Sequence, residues 1–249
     1  MDSSTRLNFV ADLAETMMQS GAETYRVEET VQYVLRTYTG NPGESFVSPT
    51  IIICTEKYDD EIKTITRRIK NRGVNLEKVN KANDLSRRIT SGSVPLQDAI
   101  AELQEIRQAN NHSFTHSTLL AAMSCAAFAF IFGGWWADAF AASIIAVLLY
   151  NFRHLLTKIE MSSFVSDILG GALVSFSALA LTNIGIGYDI NVVISSSIML
   201  MVPGVLLANS FRDILEGDYL SGMSRLLEAL FVAVCIALGV GVVLRLGVL

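Results

Sequence analysis

The rhythm of hydrophobic and polar positions changes once along the chain, near residue 117. Before that point it follows the periods of small globular elements. Leu7, Val10, Ala11, Ala14 and Met18 recur at helical spacing and predict a first helix ending near Ser20, where Gly21 interrupts it. Val27, Val31, Val34 and Leu35 predict a second amphipathic helix that stops before Gly40, and Asn41-Pro42-Gly43 reads as a turn. Residues 45–55 are β-branched and apolar and predict one strand. Asp59 and Asp60 predict a turn, and residues 61–69 predict a returning strand with Ile62, Ile65 and Ile69 broadly inward. Residues 75–91 and 95–108 predict two further helices, with Pro95 at a helix start and Ser93 as a candidate cap. Residues 1–116 therefore predict a small α+β domain.

Beyond it the pattern becomes five apolar stretches, at about 117–134, 137–152, 164–184, 192–208 and 226–248. Each approaches the roughly 20 residues needed to cross hydrocarbon, and the second is short unless it continues past Arg153. The links between them are short, which makes successive helices antiparallel neighbours. Trp135 and Trp136 fall where an interfacial aromatic belt is expected. The fold class that follows is a polytopic α-helical membrane protein, with five transmembrane helices in residues 117–249 preceded by the α+β domain.

Composition sharpens this division. The chain has 249 residues, 51% hydrophobic and 17% charged, against about 25% charged for an average soluble domain. Of 19 Lys and Arg residues 14 lie before Ser117, as do 16 of 24 Asp and Glu residues. The net charge of −5 offers no basic surface for a phosphate backbone, so no nucleic-acid partner is expected. With residues 1–116 in the cytosol, the links after spans two and four carry Arg153, Lys158, Arg212 and Arg225, and the links after spans one and three carry no Lys or Arg. The positive-inside rule then places the N-terminus in the cytosol and the C-terminus outside. The first 20 residues contain Asp2, Arg6, Asp12 and Glu15 and do not read as a cleavable signal. An odd number of spans would invert any second unit of similar fold joined after them, a common transporter plan.

Candidate chemistry is sparse. Cys54, Cys125 and Cys235 read as free thiols. His112 and His116 stand four residues apart, a spacing for two helical metal ligands, but no third ligand is near; no metal and no cofactor is expected. No nucleophile elbow, P-loop or GxGxxG follows a strand, so the chain does not read as an enzyme. Glu23, Arg26, Glu28 and Glu29 read as a solvated helix face, with a site as the alternative. Arg67, Arg68, Lys70 and Arg72 read as a solvated strand end, with anion or headgroup binding as the alternative.

In the apolar half, charges are functional candidates by default. Asp138 and Asp167 lie in the first turns of spans two and three, where a carboxylate either caps the helix or carries a coupling proton. Met199-Leu200-Met201-Val202-Pro203-Gly204 predicts a break: Pro203 cannot donate, and Gly204 removes a side chain beside it. Broken helices with bare carbonyls build transporter substrate sites. Asn183, Ser195, Ser196 and Ser197 add hydrogen-bonding groups, with interhelical bonding as the alternative. Asn209, Arg212, Asp213, Glu216, Asp218 and Arg225, with Gly217 and Gly222, form a mixed-charge segment after span four. It reads either as a gate that recruits substrate or as a charged turn.

Taken in order, Gly21-Ala22-Glu23 with Arg26 to Glu28, Arg72-Gly73-Val74-Asn75, Ser124-Cys125, Gly133-Gly134 with Asp138, and Val202-Pro203-Gly204 followed by Asp213, Gly217, Gly222 and Arg225 resemble the threonine/serine exporter family. The likeness covers almost the whole chain and is to the long-subunit type, similar to the larger subunit of the two-component bacterial succinate exporter. The resemblance implies proton-driven export of small polar metabolites, threonine and serine or a C4-dicarboxylate such as succinate, from the bacterial inner membrane. It also implies a separate short membrane subunit as partner, hence a hetero- or homo-oligomer in the lipid bilayer. The competing reading is a membrane-anchored binding or scaffold protein whose cytosolic domain is the working part.

Overall fold

The apolar stripe of the first helix closes over a small antiparallel sheet. In the computed structural model, which describes residues 3–58, 61–70, 72–109 and 113–247, α1 (Ser3–Gln19) buries Leu7, Val10, Leu13, Ala14 and Met17. The expected Asp59-Asp60 turn, His112 and the end of the fifth apolar stretch lie outside the described residues. α2 (Thr24–Thr39) buries Val27, Val31, Val34 and Leu35 and ends at Gly40, whose φ of +78° suits glycine and whose N–H returns to the Arg36 carbonyl at 2.9 Å.

The single strand expected over residues 45–55 is two strands, β1 (Glu44–Val47) and β2 (Ile51–Tyr58). Pro49 is the reason: it cannot donate to a ladder, and the chain turns around it while the Ser48 N–H bonds the Ile51 carbonyl at 2.8 Å. With β3 (Glu61–Arg68) they form a three-stranded antiparallel sheet in the order β1-β2-β3. Strand parity places Ile62 on the outer face, 69% exposed, while Ile65 packs on the core and Ile69 is buried beyond the strand end. α3 (Leu76–Thr90) is capped by Asn75, whose side chain accepts from Lys78 N at 3.0 Å. α4 (Leu96–Gln108) starts at Pro95 rather than at Ser93, whose hydroxyl pairs instead with that of Ser91.

Inside this domain lies an ion pair that the hydrophobic pattern does not announce. Arg6 of α1 reaches Glu56 of β2 at 2.5 Å, with both side chains almost fully buried. Arg67 is also held, bonding Asn8 at 2.7 Å and Asp12 at 3.3 Å across to α1.

Four further helices are long and apolar enough to cross a membrane: α5 (Phe114–Ile131), α6 (Trp136–Lys158), α7 (Ser163–Asn183) and α10 (Tyr219–Gly247). The second expected span is not short, because α6 continues through Arg153 to Lys158. The fourth expected span is not one helix. It is α8 (Ile190–Ile198) and α9 (Gly204–Leu215), so the five uninterrupted spans expected become four among the described residues, plus a divided segment.

The chain forms two compact units. One joins residues 1–111 to α9 and the start of α10, up to Leu227; the other contains α5 to α8 and the rest of α10. In the second unit small residues bring helices together. Cys125 and Ala129 of α5 meet Ala139, Ala142 and Ala146 of α6 in one buried cluster. α7 and α10 cross at glycines: a Cβ on Gly171 would lie 2.6 Å from the Ile236 carbonyl oxygen, and one on Gly239 would collide with the Ile168 carbonyl oxygen.

Candidate functional site

The break forms where the sequence places it. α8 stops at Ile198, residues 199–201 make a turn, and α9 restarts at Gly204 after Val202 and Pro203. A residue before proline is driven away from helical geometry, and proline itself cannot continue the ladder. The turn tightens: Met201 N bonds the Ile198 carbonyl at 2.7 Å, a three-residue spacing in place of the helical four. Gly204 is not there for close packing, since a Cβ on it would meet nothing within 4 Å. Ser196 and Ser197 are fully buried and donate within their own helix, to Val192 O and Val193 O at 2.7 Å each. Asn183 stands exposed at the end of α7.

Asp138 and Asp167 have different surroundings. Asp138, 1% exposed, gathers three backbone donors: Trp135 N at 2.8 Å, Tyr188 N at 2.6 Å and Asp189 N at 3.0 Å. It caps α6 and also ties the loop before α8 to the start of α6. Asp167 is held by one side chain, Arg153, at 2.8 Å across the α6–α7 connection.

The densest polar arrangement is in the other unit, where the corner between α1 and α2 meets α9 and α10. Gly21 turns that corner with φ of +91°, and a Cβ there would sit 3.0 Å from the Gly73 carbonyl oxygen. Residues 73–75 pair with the corner, Gly73 N to Gln19 O and Asn75 N to Ser20 O, both at 2.9 Å. The Glu23 side chain makes no cap for α2. Instead Asp213 of α9 accepts from Thr24 N at 2.9 Å and from the Thr24 hydroxyl at 3.1 Å. Asn209, one turn earlier on α9, donates to Gly21 O at 2.8 Å, and Arg212 pairs with Glu23. From α10, Arg225 Nη2 donates to Ala22 O at 2.9 Å, and Nε lies 3.1 Å from Asp213 Oδ2. Gly222 permits the crossing: a Cβ there would lie 2.8 Å from the Ser210 carbonyl oxygen. The residues that read as a solvated helix face are therefore partly an interior contact, with Glu23 only 5% exposed.

Electrostatics in this cluster favour protons. Asp213 lies beyond the four long apolar helices, and burial raises its carboxyl above the ordinary value, with Arg225 and the Thr24 donors opposing and Glu23 adding to the rise. Burial likewise raises Asp218, with Asp213 and Glu216 adding to it. Glu28 is raised by burial and by Asp218 and Asp213, against the N–H that Val47 donates to it.

The expected site residues thus separate. Asn209, Arg212 and Asp213 come together, joined by Arg225, Glu23 and Thr24, while Asp138, Asp167, Asn183, Ser196, Pro203 and Gly204 lie in separate surroundings. Thr24 was invisible in the sequence because its role is a backbone N–H pointed at a residue 189 positions away. Among the described residues no group of three or more His, Cys, Asp or Glu is placed to hold a metal ion.

Comparison with known proteins bears on these features. Residues 8–247 match the family described as "Putative threonine/serine exporter". The chain is 27% identical to a "Probable threonine/serine exporter" of Mycobacterium tuberculosis, over 96% of this chain but 46% of that protein, so it spans less than half of that relative's length. It is 25% identical to a "Probable succinate transporter subunit YjjP" of Klebsiella aerogenes, over 88% of this chain and 86% of the relative. The Escherichia coli protein of the same name is 26% identical over 92% and 89%. No solved structure matches. With its apolar helices and a family match running almost from end to end, the chain belongs to the threonine/serine exporter family.

Proposed function

We propose that this chain is a subunit of a secondary-active, proton-coupled exporter that moves threonine and serine, or a C4-dicarboxylate such as succinate, out of the cell. The observation that carries the reading is the likeness to relatives named as transporter subunits, of which the chain covers 86% and 89%. A protein named a subunit has a partner, and the partner proposed for this chain is a short membrane subunit.

Arg153, Lys158, Arg212 and Arg225 in the links after spans two and four favour the N-terminus in the cytosol, and the bacterial relatives favour a bacterial inner membrane. A fourth crossing over residues 192–208, interrupted by the break before Gly204, would leave the C-terminus outside. Of Asp138 and Asp167, Asp167 is the better coupling candidate: it pairs with one side chain, Arg153, whereas three backbone donors hold Asp138. Asn183, Ser196 and the carbonyls beside Pro203 and Gly204 are candidates for contact with substrate. Asn209, Arg212 and Asp213 are candidates for a gate.

The test is efflux of labelled threonine, serine and succinate from loaded cells that express the chain with and without its short partner. Faster efflux of one of these that collapses with the proton gradient is the expected result. Unchanged efflux of all three overturns the reading.

A further inference from the structure

The contact between the start of α2 and the α9–α10 pair is built around a carboxylate with no access to water. Asp213 is 0% exposed. It closes the open end of α2 through Thr24, and it meets Arg225 of α10. These bonds do not balance the local charge. Glu23 and Glu28 face the cluster from the α2 side, Glu216 and Asp218 from the α9–α10 turn; the guanidiniums are Arg26 beside Glu23, Arg212 on the same helix as Asp213, and Arg225. With Asp213 itself that is five carboxylates against three guanidiniums. Closing the elements together strips water from this excess negative charge, and parting them returns it.

We propose that Asp213 is a proton-sensitive tie holding the start of α2 to α9 and α10, which tightens when the cluster takes up a proton and loosens when it releases one. Its geometry suits either state. As the anion, Asp213 accepts from both Thr24 donors. As the acid, Oδ1 still accepts from Thr24 N while a proton on Oδ2 can be donated to the Thr24 hydroxyl oxygen, and Arg225 keeps its bond to Ala22 O. Protonation of Asp213 therefore lowers the excess of carboxylates over guanidiniums from two to one and keeps the bond from Thr24 N, while giving up the ion pair with Arg225.

The sign follows from linkage. The closed arrangement holds the proton more tightly than the parted one, where the carboxyl is hydrated and has its ordinary affinity, so acid favours closure. The raised carboxyls of Asp213, Asp218 and Glu28 agree with this direction. The tie stands on the geometry of the cluster alone, not on the export reading.

Hydrogen exchange on the full-length chain in lipid nanodiscs tests it. The protection of the α2 amides from Thr24 onward, corrected at each pH for intrinsic exchange, should fall about tenfold between about pH 5 and about pH 8. α3 serves as the reference and should not change. Asp213→Asn should reduce the pH dependence, leaving only the part carried by Glu28 and Asp218. Thr24→Val, which keeps the N–H but loses the hydroxyl, should lower protection and keep the pH dependence. Constant protection in the natural chain, a change of opposite sign, a parallel change in α3, or a pH dependence undiminished in Asp213→Asn overturns the proposal. No transport is measured, so the outcome is separate from the test of export.

Discussion

Asp213 supplies the cap that α2 lacks: its carboxylate accepts from Thr24 N at 2.9 Å, across 189 positions of sequence. A helix leaves its first N–H groups unsatisfied, and a nearby side chain normally answers one of them. Here the answering group is on α9, so the start of α2 is completed only when α9 is in place. The same contact explains why α9 and the first turns of α10 belong to one compact unit with residues 1–111.

Gly222 and Gly241 make opposite predictions on one helix. A Cβ on Gly222 would press on the Ser210 carbonyl oxygen and on Ile214, whereas one on Gly241 would meet nothing within 4 Å. Gly222→Val should destabilise by about 1–3 kcal/mol through overpacking. Gly241→Ala should stabilise by roughly 0.5–1 kcal/mol through the lost backbone freedom of glycine. Thermal unfolding in detergent checks both signs.

Breaking the Arg6–Glu56 pair should be costly, because the partner left behind stays buried and charged. Glu56→Ala should cost about 3–5 kcal/mol, and pairing it with Arg6→Met should recover much of that loss. A double-mutant cycle on thermal or denaturant unfolding measures the coupling.

The raised carboxyls of Glu28 and Asp218 set a pH dependence of stability. An acid whose affinity for protons is higher folded than unfolded stabilises the fold below the ordinary carboxylate range, and that contribution is lost as pH rises through the raised value. Glu28→Gln or Asp218→Asn should therefore flatten the fall in melting temperature between about pH 4 and about pH 7. A dependence unchanged by both substitutions would contradict the assignment.

Asp138 and Asp167 should respond differently to the loss of charge. Asp138→Asn leaves fewer acceptor sites for three backbone donors and should lower stability by about 1–3 kcal/mol. Protein that still reaches the membrane should keep its proton dependence. Asp167→Asn should leave the melting temperature closer to that of the natural chain and abolish the proton dependence of efflux. Efflux and melting temperature measured on the same two variants distinguish a cap from a coupling group.

Much of the fold was legible because local chemistry wrote it. The stripe Leu7, Val10, Ala14 is a helix in any context that offers a core, Gly40 ends α2 through a positive φ, and Pro203 breaks the apolar run around it. Other features were hidden in two ways. Pro49 divided an apolar run whose composition favoured a single strand. The Glu23 side chain read as solvated charge, and nothing in the pattern marked Arg6 as buried, because sequence spacing does not show which helix face a distant segment will cover.

Where the chain becomes apolar, where the first two helices end and that a break falls before Gly204 could be read from the sequence, since period, charge and proline act over a few neighbouring residues. Only the tertiary structure decided what the remaining charges do. It made Asp138 a cap for two segments, paired Asp167 with Arg153, and brought Asp213 to Thr24 and Arg225. Burial and partnership depend on packing between residues far apart in the chain, and that packing is what turns a listless carboxylate into a tie, a cap or a candidate carrier of protons.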